Sequence, residues 1–258
     1  MTLNSTKFIK TLPSGQFQSE FQKVINDVEN SLVLALGSQL HSVYLYGSVA
    51  KGCATAGISD LDVCVILTEK PDSHLINIIA DIRKVIMSSH KVVSKVDFDI
   101  GSLSEVLDPE KLYSWGYWLK HHCRCIFGDD LACRFNLFKP SKAIAIAVNG
   151  DFIEAIDGYV HSLSNISDEI ERKQLQRSAA RKLIRSTNLL RANEDVDWPE
   201  ALEEYVVKFS AQYPMRENEI RYFLSQSHMP TDGLEAFIKR LNNFTKWLVT
   251  EVKSDSYH

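Results

Sequence analysis

The 258-residue sequence has no hydrophobic run long enough to cross a membrane, and its first residues, Met1–Lys7, do not form a hydrophobic signal region. Its five cysteines are scattered and odd in number, so they do not indicate a disulfide framework. Positive charge is not in excess, because 29 Lys and Arg residues face 33 Asp and Glu residues. These absences predict a cytoplasmic globular protein without membrane contact, and they argue against extended nucleic-acid binding.

Hydrophobic periodicity divides the chain into two halves of different character. In the first half, apolar residues repeat at helical spacing over 17–36 and 75–86, and strand patterns occupy 43–46, 63–67 and 91–100. An aromatic-rich stretch at 112–126 predicts a further helix. After Ser141 strand patterns are absent, and the spacing predicts helices at about 141–163, 167–193, 199–211, 216–227 and 232–252. We therefore predict an N-terminal α/β domain, residues 1–138, and a C-terminal all-α domain, residues 139–258.

A glycine-serine turn and an Asp-x-Asp pair lie close together in the first half. Gly47 and Ser48 follow strand 43–46 at the predicted start of a helix, where free backbone N–H groups can bind a phosphate. Asp60 and Asp62 are two residues apart at the start of the next strand, so their side chains face the same way. Two neighbouring carboxylates repel each other unless a cation lies between them. The pair therefore indicates a divalent metal ion.

Each motif has an ordinary structural explanation, a strand-to-helix turn for the first and a solvated strand end for the second. Their combination with an acidic residue on a later strand is more specific. Asp97 and Asp99 share one face of strand 91–100, opposite the apolar residues of that strand. Together these residues provide a phosphate cradle beside converging carboxylates, which is the arrangement that two-metal phosphoryl or nucleotidyl transfer requires.

Tyr46-Gly47-Ser48, Asp60-Leu61-Asp62 and the strand Val96-Asp97-Phe98 resemble the motifs of the polymerase-beta-like nucleotidyltransferase superfamily. In length and outline the chain is similar to bacterial antibiotic nucleotidyltransferases of the aminoglycoside type, in which a helical C-terminal domain closes one side of the cleft. The resemblance implies an α+β/α two-domain fold, with a mixed sheet flanked by helices followed by an all-α bundle. It covers residues 40–105 well and the helical half only in outline.

The resemblance implies a Mg²⁺-dependent enzyme that moves a nucleoside monophosphate, most simply AMP from ATP, to an acceptor hydroxyl and releases pyrophosphate. The expected acceptor is a small molecule such as an aminoglycoside or lincosamide antibiotic, because a net charge of -4 suits a cationic acceptor better than RNA. Two alternatives remain at this point: nucleotidyl transfer to protein or tRNA, as in toxin–antitoxin systems, and a catalytically silent nucleotide-binding module. No feature of the sequence selects an oligomeric state.

The resemblance also assigns roles to individual residues. The catalytic carboxylates are Asp60, Asp62, Asp97 and Asp99. The ligands of two Mg²⁺ ions are Asp60, Asp62 and Asp97. Asp97 is favoured over Asp99 as the third carboxylate, and the third carboxylate also takes the proton of the acceptor. The phosphates are assigned to Gly47, Ser48, Lys51 and Lys182.

Two other clusters have a functional and a structural interpretation. On the predicted helix 167–193, four basic residues could reach the phosphates or form a solvated basic face: Arg177, Arg181, Lys182 and Arg185. His121-His122-Cys123-Arg124-Cys125 lacks a second ligand pair at zinc-site spacing, which favours a helix end with buried thiols over a metal site. Three nearby aromatic residues are either core residues or candidates for the acceptor pocket: Trp115, Tyr117 and Trp118.

Overall fold

A computed structural model describes residues 8–255. Met1–Lys7, the segment noted for its lack of a signal region, and residues 256–258 lie outside the described residues. The described chain forms two compact units, Phe8–Lys139 and a second unit that begins at Pro140. The roles expected of domains 1–138 and 139–258 stay predictions. None of the helices formed by residues 8–255 combines the length and the hydrophobicity of a transmembrane segment.

The first unit is built on a mixed sheet of four strands in the spatial order β3-β2-β1-β4. The strands are β1 Leu40–Tyr46, β2 Leu61–Leu67, β3 Val96–Ser102 and β4 Arg124–Gly128. β1 pairs antiparallel with both β2 and β4, whereas β2 and β3 are parallel. The prediction of a mixed sheet with helices, followed by a helical C-terminal region, is confirmed.

The two faces of this sheet are covered by different parts of the first unit. On one face, Val43 and Leu45 of β1 pack with the buried stripes of α1, Ser19–Leu36, and α3, Ser73–Ser89. These helices form because their apolar residues recur every three or four positions. On the other face, Tyr44 and Cys64 belong to a second cluster with residues from the segment 103–138. Alternation along β2 and β3 directs Asp62 and Asp97 to this second face.

Two elements of the first unit differ from the prediction. The strand expected at 91–100 begins only at Val96, because residues 92–95 turn back on the loop before β2: Leu61 N–H donates to the Lys95 carbonyl at 2.9 Å. The helix expected at 112–126 is also wrong in its second part. A π-helical turn, Leu112–Gly116, leads into α5, Tyr117–His122, and the chain then continues as β4. The sequence of β4 is too short to favour a helix or a strand by its pattern alone. Hydrogen bonds to the edge of β1 stabilise the strand.

Short helices complete the first unit, α2 Gly47–Lys51 and α4 Leu103–Val106. The second unit contains α6 Lys142–Asn149, α7 Phe152–Asn165, α8 Glu169–Ser186, α9 Leu202–Gln212, α10 Glu217–His228 and α11 Leu234–Asp255. The helix predicted at 141–163 is therefore two helices, separated at Gly150, since glycine has a low helix propensity. The helix predicted at 167–193 ends at Ser186 and continues only as the 3-10 turn Thr187–Leu190.

Candidate active site

The glycine-serine turn joins β1 to α2. Gly47 has a φ of 69°, a conformation that residues with a side chain rarely adopt. A Cβ placed on Gly47 would overlap Oδ2 of Asp62. This position therefore requires glycine for two reasons, the backbone angle and the close approach of the Asp62 carboxylate. The helix ends at Gly52 in the left-handed region with φ 72°, so the turn is bounded by glycine on both sides.

Three of the four predicted carboxylates lie at or near the start of two neighbouring parallel strands, and Asp99 lies in the middle of the second strand. In the strand register, Asp62 of β2 is opposite Tyr46 of β1 on one side and Asp97 of β3 on the other. Asp60 directly precedes β2, and Asp99 follows Asp97 by two positions, so all four acidic side chains belong to one face of the sheet. The structure thus brings the predicted carboxylates to one region beside the Gly47 turn.

Each of the three carboxylates around Asp62 has a hydrogen-bond or ion-pair partner within the first unit. Ser94 donates its hydroxyl hydrogen to Oδ1 of Asp60 at 2.5 Å. The ammonium of Lys95 lies 2.8 Å from Oδ1 of Asp97. The hydroxyl of Tyr46 donates to Oδ2 of Asp99. These bonds orient the side chains, and none of them was expected from the sequence.

This environment changes the pKa of Asp62. Burial raises the pKa of Asp62 to about 7, and the charges of Asp60, Asp97 and Asp99 add to the increase, whereas Lys95 opposes it. Burial, together with the hydrogen bond to Asp99, also raises the pKa of the Tyr46 hydroxyl, so that Tyr46 remains a donor. A carboxylate with a pKa near neutrality among other carboxylates is typical of functional sites.

The donor set fits a divalent cation in its chemistry. All of the groups are carboxylates, which Mg²⁺ prefers, and a cation would offset the two causes of the raised pKa of Asp62, first its burial and then its repulsion from the neighbouring carboxylates. Across residues 8–255, no three His, Cys, Asp or Glu side chains are arranged so that they could hold a metal ion as they stand. Asp60 instead accepts a hydrogen bond from Ser94, and Asp97 forms an ion pair with Lys95.

Comparison with known proteins agrees with this geometry. Residues 32–115 match the nucleotidyltransferase domain family, and this range contains the Gly47 turn and all four carboxylates. The fold is similar to that of spectinomycin adenyltransferase AAD(9) from Enterococcus faecialis, solved with ATP and spectinomycin. The TM-score is 0.54 and the identity 16%, over 87% of this chain and 98% of that chain. This is a nucleotidyltransferase fold. No curated protein matches the sequence.

Aromatic residues lie beside the carboxylates of the first unit. The rings of Tyr46 and Trp118 meet edge to face with centroids 4.9 Å apart, and Trp115 lies 5.3 Å from Trp118. Trp115 also covers Gly101, where a Cβ would come within 2.8 Å of the indole. Tyr117 is different, because it is buried and its hydroxyl lies 2.6 Å from Nε2 of His122. Of the three aromatic candidates, Trp115 and Trp118 are therefore connected to the carboxylates through Tyr46.

The structure explains His121 without a metal. The backbone N–H of Phe138 donates to its Nε2 at 3.1 Å, so the other ring nitrogen, Nδ1, carries the hydrogen and donates to the Lys10 carbonyl at 3.0 Å. Burial lowers the pKa of His121, which agrees with a neutral ring. Both nitrogens are engaged, and the cluster is the end of α5 followed by a buried Cys123, as the structural interpretation predicted.

Two predicted phosphate contacts, Lys51 and Lys182, stay predictions. Lys51 is exposed in the last turn of α2. Lys182 belongs to α8 of the second unit, where its ammonium lies 2.6 Å from Oδ1 of Asp151. Its neighbours Leu183 and Ile184 are buried in the helical core, as expected for one face of an amphipathic helix.

Sequence reasoning missed three polar groups of this site: Ser94, Lys95 and the hydroxyl of Tyr46. A signal for Lys95 was available, because Lys95 and Asp97 are two residues apart next to a strand and therefore face the same side. No comparable local signal exists for the pair of Tyr46 and Asp99, which are 53 residues apart in the chain.

Proposed function

We propose that this protein is a Mg²⁺-dependent nucleotidyltransferase that transfers AMP from ATP to a hydroxyl of a small-molecule acceptor and releases pyrophosphate. The observation that carries the proposal is Asp62, whose pKa is raised to about 7 among three other carboxylates while its oxygen lies against Gly47. The solved neighbour with ATP and spectinomycin supports ATP as the donor and an antibiotic-like acceptor. The match of residues 32–115 to the nucleotidyltransferase domain supports the reaction type.

In the proposed reaction, the acceptor oxygen attacks the α-phosphorus of ATP. The new bond joins this oxygen to the α-phosphorus, and the bond from the α-phosphorus to the oxygen bridging to the β-phosphorus breaks, so that pyrophosphate leaves with the electron pair. Mg²⁺ bound by Asp60, Asp62 and Asp97 would neutralise charge on the triphosphate and on the leaving pyrophosphate. The backbone at Gly47 and the hydroxyl of Ser48 would bind the outer phosphates.

In place of the single third carboxylate expected from the sequence, we propose that Asp97 and Asp99 have separate roles. Asp97 lies directly beside Asp62 in the strand register, which suits a shared metal ligand. Asp99 is exposed and accepts a hydrogen bond from the hydroxyl of Tyr46, which supports a role in accepting the proton of the acceptor hydroxyl. Phosphate contacts by Lys51 and Lys182 belong to the same proposal.

Charge and aromatic residues support the proposed acceptor class. The chain carries a net charge of -4, and the exposed carboxylate of Asp99 lies next to Tyr46, which packs on Trp118. A polyhydroxylated cation such as an aminoglycoside would find both an opposite charge and ring faces there. The proposed location of this reaction is the cytoplasm, where ATP is available.

Pyrophosphate release tests the proposal directly. Wild-type protein is incubated with each nucleoside triphosphate and Mg²⁺ across a panel of aminoglycosides and other hydroxylated acceptors, beside Asp62→Asn and the control Asp81→Asn. Asp81 is an exposed residue paired with Lys84, so its amide should leave the rate unchanged. We expect acceptor-dependent release with ATP and a loss of about 100-fold or more in Asp62→Asn. Equal release by wild type and Asp62→Asn with every acceptor would contradict a catalytic function for this site.

A further inference from the structure

The Gly47 turn is held at its far end by a side chain of the edge strand. Arg124 begins β4 and lies opposite Leu45 of β1. Its Nη1 donates to the carbonyl of Ala50 in the last turn of α2 at 3.3 Å, and its Nη2 donates to the carbonyl of Gly15. The guanidinium carbon lies 3.8 Å from the ring centre of Phe17. One side chain thus connects α2, the N-terminal segment and the sheet.

The backbone of α2 shows why these contacts matter. In a continuing helix the N–H of Ala54 would donate to the carbonyl of Ala50, four residues earlier. The helix ends at Gly52, and the N–H of Ala54 instead donates to Oε1 of Gln18 at 2.9 Å, while Nε2 of Gln18 donates to the Ala54 carbonyl at 3.0 Å. The carbonyl of Ala50 is the group that Arg124 satisfies. Gln18 and Arg124 therefore replace the hydrogen bonds that the end of the helix leaves open.

The length of α2 makes it dependent on such external bonds. It has five residues. A single helical turn is not stable by itself, because the conformational entropy lost in forming the first turn outweighs the free energy gained from its hydrogen bonds. A cation near the C-terminal carbonyls also stabilises the helix, because it interacts favourably with the negative end of the helix dipole. Arg124 supplies two parallel donors from one rigid plane, which lysine cannot do.

We propose that Arg124 and Gln18 are positioning residues that hold α2 and thereby the backbone of Gly47 and Ser48 in the conformation that receives the triphosphate. This inference rests on the proposed function for its ligand, although the contacts themselves do not. Both residues lie outside residues 32–115, the range that matches the nucleotidyltransferase domain. The phosphate-binding turn therefore depends on parts of the first unit that the domain match does not include.

Amide hydrogen exchange measures the clamp without reference to catalysis. Wild type is compared with Arg124→Met, Arg124→Lys and Gln18→Leu, and Arg134→Met serves as the matched control because Arg134 is exposed in the same unit. The reporting amides are those of Gly52, Cys53 and Ala54, whose hydrogen bonds close this turn. We expect exchange at these amides to accelerate about tenfold or more in Arg124→Met, with less change in Arg124→Lys and none in β2 or in the control.

Steady-state kinetics then connect the clamp to the nucleotide. The KM for ATP should increase about tenfold in Arg124→Met and Gln18→Leu, with a smaller change in kcat, because a loosened turn weakens phosphate binding before it affects proton transfer. Unchanged exchange at residues 52–54 in both variants would overturn the clamp. If exchange accelerates but no preparation releases pyrophosphate, the proposed reaction fails and the clamp stands. If Arg124→Met does not fold, Gln18→Leu decides the outcome by the same two measurements.

Discussion

Replacement of Asp62 by asparagine should make the metal-free protein more stable while it removes the activity. In the folded chain, burial and the charges of Asp60, Asp97 and Asp99 raise the pKa of Asp62 from 3.8 to about 7. A raised pKa in the folded state means that the stability contributed by this group is fully present below about 3.8 and is lost as the pH rises through about 7. Asparagine has the same shape and no charge, so it removes this loss.

The size of the effect follows from the pKa difference. A difference of about three units corresponds to at most about 4 kcal/mol. Because the side chain is partly accessible to water, screening reduces this value, and we expect about 1–2 kcal/mol at about pH 8. For a chain of this size that gain is an increase in Tm of about 3–6 °C, and it should shrink at about pH 5, where the carboxyl is already largely protonated.

Thermal unfolding of wild type, Asp62→Asn and Asp81→Asn in the presence of a chelator measures this difference at each pH. The exposed Asp81 controls for the general effect of removing one negative charge. Added Mg²⁺ should raise the Tm of wild type at about pH 8 and have a smaller effect on Asp62→Asn, since binding to the folded state alone stabilises it. If Asp62→Asn is less stable than wild type at about pH 8, or gains equally at both pH values, burial and the neighbouring charges do not raise the pKa of Asp62 as described.

Three further predictions concern neighbouring residues. Gly47→Ala combines a positive φ with an overlap at Asp62, so unfolding experiments should show a loss of about 1–3 kcal/mol and rate assays a severe loss of activity; normal activity would contradict the close approach. Tyr46→Phe removes the donor to Asp99, so kcat should fall about tenfold with an unchanged KM for ATP, and a change in KM alone would contradict the positioning of Asp99. Burial lowers the pKa of His121, so its contribution to stability is present above its unfolded pKa and is lost as the pH falls; denaturant titrations at decreasing pH should show a shallower loss for His121→Gln, and an identical slope would refute this.

The sequence was sufficient for the parts of the fold that depend on local periodicity. The resemblance to nucleotidyltransferases and the mixed sheet are both confirmed. Side chains in a strand alternate in direction, so the spacing of Asp60 and Asp62, and that of Asp97 and Asp99, already predicted that each pair faces one side. β4 was missed for the opposite reason. A short edge strand such as Arg124–Gly128 has little pattern of its own, and it is extended because β1 supplies its hydrogen bonds.

The sequence by itself determined the order of the chemical groups along the chain: a glycine turn, an acidic pair and a later acidic strand. Only the tertiary structure decided the partner of each group. Tyr46 reaches Asp99 across 53 residues, and Arg124 reaches Ala50 across 74 residues. No periodicity extends over such distances, because these contacts arise only when the strands are aligned in the sheet. The same alignment buries Asp62 beside the other carboxylates, and burial first and their charges second raise its pKa.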